Sequence, residues 1–203
     1  MFIMGTIVID EHYEKCRKLL KENISPKRYA HSIGVSNTAA CLAMRYGCDV
    51  NKAYLAGLLH DCAKGLKPDE LVRLVESEGM EITESERDNP ELLHAKAGSI
   101  LARDKYKTDD EEILGSICWH TTGRPGMTLL EEIIFAADYI EPNRTNIPNL
   151  YEIRRSAFVD MDRTIALICR NTLDYLKSGR SVIDKMTMET YEYYSNRVNR
   201  SKE

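Results

Sequence analysis

The stretch that organises the chain reads Leu58-Leu59-His60-Asp61-Cys62-Ala63-Lys64. It closes an apolar run that begins at Tyr54 and is typical of a helix buried on most sides. Such a helix should not end in an imidazole and a carboxylate unless both have partners, because burying unpaired polar groups is costly. Together these two groups suit a transition-metal ion. Adjacent helical positions point about 100° apart, so His60 and Asp61 can share an ion only where the helix end frays or tightens.

The composition indicates a globular protein. The 203 residues suffice for one domain with a sizeable core, and 43% are hydrophobic and 30% charged. The net charge of −4 provides no basic field for nucleic acid or an anionic membrane, so a phosphate ligand would need a local cluster of cations. The apolar start, Met1–Ile9, lacks the basic region of a signal peptide, and no stretch approaches the length of a membrane span. Six cysteines without a Cys-x-x-Cys pair are typical of reduced thiols, so we expect a cytoplasmic protein.

Periodicity and capping residues predict helices along nearly the whole chain, without strand-like alternation. The predicted helices cover residues 9–22, 26–46, 51–62, 68–79, 90–103, 110–120, 128–140, 151–177 and 187–200, and residues 81–88 form an acidic, solvated loop. This pattern predicts an all-α, single-domain helical bundle. In it, residues 1–24 form an N-terminal helix packed on the domain, residues 25–145 the metal-binding core, and residues 146–203 C-terminal helices that complete the same domain.

Four of the five histidines lie on different predicted helices. These are His31, His60, His94 and His120, and they are joined by Asp138, a single carboxylate within the apolar helix Ile133–Ile140. Helical bundles build metal sites from inward-projecting side chains on facing helices. A lone histidine on an apolar face is more often a hydrogen-bonded core residue than a ligand. The ordered series nevertheless predicts one shared metal centre, and His12, beside two acidic residues, is interpreted as a surface residue.

The His…His-Asp…Asp skeleton resembles the HD-domain superfamily of metal-dependent phosphohydrolases. Four longer stretches, Arg28–Val35, Ala56–Asp61, His120–Pro125 and Ala137–Arg144, are similar to the YqeK group. Proteins of that group hydrolyse diadenosine tetraphosphate symmetrically to two ADP with iron in the site. The resemblance therefore implies an HD-type bundle, a hydrolase acting on acid anhydrides, and a homodimer. The tail departs from the family pattern, because Lys185-Met186 stands before Thr187 where the family usually has proline.

The resemblance implies that His31, His60, Asp61 and Asp138 bind the principal ion, expected to be iron. His94 and His120 then either complete a second metal site, for an ion such as manganese or magnesium, or contact the phosphates directly. Two ions about 3.5–4 Å apart would clamp the attacking and leaving oxygens, whereas one ion can polarise the phosphoryl group and activate water. The sequence leaves both alternatives open. We favour one iron ion, with a second ion bound conditionally.

Basic residues beside the ligands predict a local anion site. Arg28 lies one helical turn before His31, Lys64 follows Asp61 by three positions, and Arg144 lies in the loop after the Asp138 helix. Arginine can bind phosphate oxygens in a bidentate manner. Without the metal set, these would be ordinary surface bases. The weaker candidates for substrate contact are Asn143, which could instead cap a turn, Thr187, and Arg124 in the Gly123–Gly126 loop.

These residues predict a mechanism. Metal-activated water attacks a central phosphorus atom of diadenosine tetraphosphate, and Asp61 or a neighbouring carboxylate accepts its proton. His94 or His120 stabilises the leaving nucleoside diphosphate, ADP or GDP, and Lys64 and the arginines neutralise charge. Three alternatives remain at this stage, and the first two are an HD-type nucleotidase with another substrate and a metal-containing nucleotide sensor without turnover. A helical scaffold with hydrogen-bonded core histidines is the third.

Overall fold

The computed structural model describes residues 11–179 and 182–200, which contain helices and no strand. In order these are α1 (Glu11–Asn23), α2 (Pro26–Tyr46), α3 (Val50–Leu59), α4 (Pro68–Ser77), α5 (Glu84–Asp88), a 3₁₀ turn (Pro90–Leu93), α6 (His94–Asp104), α7 (Glu111–Trp119), α8 (Leu129–Ile140), α9 (Leu150–Ala157), α10 (Met161–Ser178) and α11 (Lys185–Arg200). The predicted all-α class is confirmed. The apolar start and the first predicted helical residues, 9 and 10, lie outside the described residues.

Within residues 25–145, α2, α7 and α8 each begin immediately after an N-cap residue. The Ser25 hydroxyl accepts a hydrogen bond from the Arg28 N–H (3.3 Å) ahead of α2. Asp110 and Thr128 cap α7 and α8 in the same way. Gly47 ends α2 at φ +74°, a left-handed conformation that glycine adopts without steric cost. Local sequence therefore determines where the helices that carry the predicted ligands begin.

One predicted loop is a helix. Glu84–Asp88 form α5 because Thr83 and Glu86 make a reciprocal capping box. Glu86 is buried, with its Oε2 atom 2.7 Å from the Lys96 ammonium. The interpretation of residues 81–88 as solvated was wrong, because the capping box is hidden within a run of acidic residues.

The C-terminal third also differs from the prediction. The expected helix over residues 151–177 is interrupted between α9 and α10, where Asp160 has an extended backbone (φ −148°) and caps α10 by accepting from the Arg163 N–H (2.9 Å). The last helix begins two residues earlier than expected, at Lys185, because the Asp184 carboxylate accepts from the Met186 N–H (2.8 Å). The helix predicted from residue 90 opens as a 3₁₀ turn before α6.

The main core lies where α2, α3, α7 and α8 pack together. Gly57 allows α2 and α3 to approach closely, because a Cβ atom there would lie 2.8 Å from the Ser36 Cα atom. A smaller apolar cluster, including Leu71, Val75 and Leu93, supports the turn that follows α3. This packing brings the ends of α3 and α7 and the start of α6 together.

The remaining helices cover this core. α1 packs on α2 and α3, and α10 packs on α8. The fully buried Tyr194 of α11 donates its hydroxyl hydrogen to Glu132 Oε1 of α8 (2.8 Å). The partition into residues 1–24, 25–145 and 146–203 stays a prediction. Within the described ranges, no helix combines the length and the apolar character needed to cross a bilayer.

Candidate metal and phosphate site

The helix α3 ends at Leu59, immediately before the His-Asp pair. The turns that follow have the hydrogen bonds of a 3₁₀ helix, between residues i+3 and i. The Cys62 N–H donates to the Leu59 carbonyl (2.9 Å), and the Lys64 N–H donates to the Asp61 carbonyl (3.0 Å). His60 and Asp61 are both buried, with His60 Nε2 3.5 Å from Asp61 Oδ2. The tightened end thus directs both side chains into one interior space, as the sequence predicts.

Three elements supply one half of this space, which we call the Asp138 half (His31, His60 and Asp138). His31 Nε2 lies 3.0 Å from Asp138 Oδ1 and 3.3 Å from His60 Nε2. His60 Nε2 is 3.7 Å from Asp138 Oδ1. The Oδ2 atom of Asp61 lies within 3.8 Å of both imidazole nitrogens. Four candidate ligand side chains therefore converge here from α2, the turn after α3, and α8.

The other half is made by two histidines from α6 and the end of α7, and we call it the His94 half (His94 and His120). Their Nε2 atoms are 3.1 Å apart. Asp61 Oδ1 lies 3.4 Å from His94 Nε2 and 3.6 Å from His120 Nε2. One carboxylate therefore faces both halves, with Oδ2 toward the Asp138 half and Oδ1 toward the His94 half.

Hydrogen bonds on the outer side of the rings determine which nitrogen faces inward. The Nδ1 atoms of His60, His94 and His120 face the backbone carbonyls of Gly57 (2.8 Å), Glu91 (2.5 Å) and Ile117 (2.7 Å). A carbonyl oxygen only accepts, so each Nδ1 carries a proton and donates it. The inward Nε2 atoms are then available as ligands, which is the usual arrangement around a metal-binding histidine.

This donor set fits a metal ion. The Nε2 atoms of His94 and His120 lie 3.1 Å apart and those of His31 and His60 lie 3.3 Å apart, beside two carboxylates, so a bound cation would stabilise this cluster of ligand atoms. Two groups of side chains place their ligand atoms within 4.8 Å of one another: His31, His60 and Asp138 in one, and His60, Asp61 and His120 in the other. Imidazole with carboxylate is a donor combination for a divalent transition metal.

The ionisation states favour ligation as well. Burial alone would raise the pKa of Asp61, but His60 and His120 hold it well below its usual range. Burial opposes ionisation of Asp138 too, yet the adjacent His31, His60 and Arg144 lower its pKa far below normal. Burial and the adjacent His120 lower the pKa of His94 to about 3. Both carboxylates are therefore charged, and His94 is neutral, near neutral pH.

Two arginines border the Asp138 half. Arg28 Nη1 lies 2.7 Å from Asp61 Oδ2, and Arg144 Nη2 lies 2.7 Å from Asp138 Oδ1. Both guanidinium side chains are about two-fifths exposed, at 38% each, so they also face solvent. They line a cleft of about 370 Å³ together with Lys27, His31, Asn143 and Thr145. The predicted grouping of Arg28 and Arg144 with the ligands is therefore seen in the structure.

Lys64 is half-buried in the turn after Asp61. Burial lowers the pKa of its ammonium group, although the negative charge of Asp61 acts in the opposite direction. Lys64 does not line the arginine cleft. A second cleft of about 290 Å³ lies beside the His94 half and has Leu92, Trp119, Thr121 and Met186 in its wall. The basic cleft thus includes His31 of the Asp138 half, whereas the second cleft reaches the His94 half at Thr121.

Of the weaker sequence candidates, Asn143 lines the basic cleft, whereas Arg124 and Thr187 do not. Asn143 donates to Glu141 Oε2 from its N–H (2.8 Å) and its side chain (3.0 Å), so it caps the turn. Arg124 pairs with the buried Glu131 (2.8 Å) and holds its own loop. Thr187 is buried in the first turn of α11 and lines neither cleft described above. His12 is half-buried on α1, with Nε2 3.6 Å from Cys16 Sγ, rather than a fully exposed surface residue.

Two residues of the site were not singled out from the sequence. The Thr121 hydroxyl lies 3.2 Å from the Nε2 atoms of both His94 and His120. Glu141, almost fully buried, places Oε1 3.1 Å from His31 Nδ1. Both lie in stretches that carry the family resemblance, His120–Pro125 and Ala137–Arg144. Their closeness in sequence to a candidate ligand was the available signal.

An all-α bundle with converging imidazoles and carboxylates defines the class of a helical metal-centre protein. Residues 28–143 match the family model described as HD domain. The chain belongs to the HD domain family. The resemblance inferred from the sequence is therefore confirmed at the level of the family.

Similar proteins extend this match over nearly the whole chain. A Bacillus subtilis (strain 168) protein is 38% identical over 180 residues, covering 89% of this chain and 96% of its own. A Halalkalibacterium halodurans protein is 40% identical over 181 residues, covering 87% and 94%. Both are named symmetrical bis(5'-nucleosyl)-tetraphosphatase.

A solved structure agrees in fold. The crystal structure of a Clostridium acetobutylicum protein, described as a predicted HD superfamily hydrolase involved in NAD metabolism, superposes with a TM-score of 0.88 at 40% identity. The alignment covers 91% of this chain and 97% of that chain.

Proposed function

We propose that this protein is a metal-dependent hydrolase that cleaves diadenosine tetraphosphate, and related dinucleoside polyphosphates, into two nucleoside diphosphates. The observation that carries the proposal is the buried Asp61 carboxylate, which faces both imidazole pairs and is paired with Arg28 of the basic cleft. The names of the two closely similar relatives support the same reaction.

The proposed metal ligands are His31, His60, Asp61 and Asp138, and iron is the proposed ion. An ion held there would polarise a phosphoryl oxygen and lower the pKa of a water molecule. His94 and His120 would contact the phosphate chain or, conditionally, hold a second divalent ion such as manganese or magnesium.

The arginines are proposed to bind the polyphosphate. A guanidinium has five N–H donors, so Arg28 and Arg144 can keep their carboxylate partners and still donate to phosphate oxygens. Both lie at the rim of the basic cleft, where a chain of four phosphates can enter. Asn143 and Thr187 are not used in this proposal, because Asn143 donates to Glu141 and Thr187 lines neither cleft.

The proposed reaction consumes one water molecule. The water oxygen forms a bond to one central phosphorus atom, and the bond from that atom to the central bridging oxygen breaks. Asp61 is the proposed acceptor of the water proton, since its two carboxylate oxygens face the two halves. The bridging oxygen leaves on the second nucleoside diphosphate, where His94, His120 and Lys64 are proposed to stabilise its charge.

Product analysis on the purified, metal-assayed protein tests this proposal. Incubation with diadenosine tetraphosphate should give two ADP for each substrate consumed, with turnover proportional to metal content. ATP plus AMP would overturn the position of attack. Metal retention without any turnover would favour the nucleotide sensor, and a protein that binds no metal would refute the metal centre.

A second candidate rests on the Clostridium acetobutylicum structure, which is described as involved in NAD metabolism. NAD is also a dinucleotide, but its two nucleosides are joined by two phosphates rather than four. A panel of diadenosine tetraphosphate, NAD and nucleoside mono- and triphosphates, compared by kcat/KM, separates this candidate and the nucleotidase from the main proposal.

We also propose a homodimeric protein of the cytoplasm, on the family resemblance. Light scattering coupled to size-exclusion chromatography tests the first part, with a mass of twice the 23.2 kDa chain as the expected result.

A further inference from the structure

His31 differs from the other three histidines in the group that holds its outer nitrogen. His60, His94 and His120 each donate from Nδ1 to a neutral backbone carbonyl. His31 Nδ1 instead faces the Glu141 carboxylate at 3.1 Å. A charged partner makes an imidazole a stronger metal ligand than a neutral partner does, because it stabilises positive charge on the ring.

Both carboxylate oxygens and the backbone carbonyl of Glu141 have hydrogen-bond partners. Its Oε2 atom accepts from the Asn143 N–H (2.8 Å) and from the Asn143 side chain (3.0 Å). Its backbone carbonyl accepts from Arg154 Nη2 (2.8 Å). The side chain is 1% exposed. The carboxylate therefore has one defined position, with Oε1 left for His31.

Gly34 makes room for this carboxylate on α2. A Cβ atom at residue 34 would lie 2.3 Å from Glu141 Oε2 and 3.2 Å from Asn143 Nδ2. Glycine in a helix interior is unfavourable relative to alanine, so its presence there is consistent with a packing requirement. We call Gly34, Glu141 and Asn143 the Glu141 clasp.

We propose that Glu141 is a positioning residue, which holds His31 with its proton on Nδ1 and its Nε2 lone pair toward Asp138, and so makes the Asp138 half the tighter metal site. The inference rests on the proposed function, because it requires the metal centre. It goes further by assigning the difference between the two halves to a carboxylate that is not among the proposed metal ligands and that, at 1% exposure, is almost closed off from the basic cleft beside it.

The substitution Glu141→Gln tests the clasp with little change of shape. If the amide oxygen faces Asn143, the amide NH₂ faces His31 Nδ1, and the ring proton must move to Nε2. If the amide is reversed, its NH₂ meets the two N–H donors of Asn143. The first arrangement removes the hydrogen bond that keeps His31 Nε2 free, and the second keeps that bond only by setting the amide NH₂ against the two Asn143 donors.

Gly34→Ala displaces the carboxylate from the other side. Its methyl group meets only the ends of the Glu141 and Asn143 side chains, and alanine is the better helix former, so α2 should persist. Glu132→Gln is the matched control, because Glu132 is a partly buried carboxylate on α8 whose described contact is with the Tyr194 hydroxyl.

The experiment compares metal affinity, by competition with a chelator, in the wild-type, Glu141→Gln, Gly34→Ala and Glu132→Gln proteins. ¹⁵N NMR of the histidine side chains in the metal-free proteins reports the His31 tautomer, and melting temperatures report folding. We expect about 10- to 100-fold weaker binding in both clasp variants and a changed His31 tautomer in Glu141→Gln. The control should bind metal as the wild type does.

Wild-type affinity and an unchanged His31 tautomer in Glu141→Gln would overturn the inference. A wild-type protein without metal affinity would instead refute the proposed function, and the tautomer measurement would then still decide the role of Glu141.

Discussion

The Asp138 half and the His94 half each present two imidazole Nε2 atoms, 3.3 and 3.1 Å apart, in different surroundings. Beside the Asp138 half lie two carboxylates of its own, Asp138 and Glu141, and the two guanidinium groups. Around the His94 half lie two backbone carbonyls, the Thr121 hydroxyl and the Lys64 ammonium, and this half shares Asp61.

The two halves use the same ligand types, but the charges around them differ, which suits one half to metal retention and the other to turnover. The carboxylates of the Asp138 half favour a permanently bound cation. The guanidinium N–H groups that are not paired with these carboxylates face the basic cleft. The positive charge of Lys64 near the His94 half leads us to expect a weaker cation site there, beside the second cleft. We therefore expect metal retention to depend on the first half and turnover to depend on both.

Removing the carboxylate shared by the two halves should have the largest effect. Asp61→Ala should lose both metal and activity, with kcat/KM reduced about 10³-fold or more, equivalent to about 4 kcal/mol of transition-state stabilisation. Metal content and turnover are measured on the same sample. An Asp61→Ala protein with normal metal and full turnover would contradict this account.

Histidine substitutions in each half should then separate metal retention from turnover. His31→Ala should release the metal, whereas His120→Ala should retain one ion and lose turnover by about 10²-fold, in the range expected for one transition-state contact. The check is metal content after gel filtration together with kcat. Equal metal loss in both variants would show that the halves act as one site.

The arginines should affect substrate binding more than chemistry. Arg144→Ala should raise KM about tenfold, or about 1.4 kcal/mol, with kcat changed less, because it removes a charge-assisted contact with phosphate. Arg124→Ala is the control, since Arg124 pairs with Glu131 and does not line the basic cleft. An unchanged KM in Arg144→Ala would remove this residue from the proposed site.

Helix caps should give the smallest effects. Ser25→Ala and Asp110→Ala should each lower the free energy of unfolding by about 1 kcal/mol, the usual value of an N-cap, as measured by urea titration. Ser25 caps the end of α2 that carries Arg28 and His31, whereas Asp110 caps the end of α7 remote from His120. Only Ser25→Ala should also raise KM. A higher KM in both variants would argue against a specific effect of the α2 cap on Arg28 and His31.

Much of the core was predictable because its signals are local. Ser25-Pro26, Asp110 and Thr128 start helices where their caps indicate, and polar side chains that interrupt apolar helices identify the residues that converge. The roles assigned to those residues stay predictions. The sequence also predicted a frayed or tightened helix end at the His60-Asp61 pair, but it extended the helix to residue 62, whereas the helix ends at Leu59.

The errors arose where a local signal was hidden or a partner was distant. The capping box of Thr83 and Glu86 lies in an acidic run that resembles a solvated loop. The break before Asp160 lies in a pattern that continues the apolar face of a longer helix. Glu141 was missed because its partner, His31, lies 110 positions away in sequence, and only the packing of α2 against α8 brings them together.

The most direct test is to locate the metal in crystals of the protein loaded with one equivalent of iron, using anomalous diffraction. The account predicts a single strong peak among His31, His60, Asp61 and Asp138. A peak between His94 and His120, with none in the Asp138 half, would contradict it.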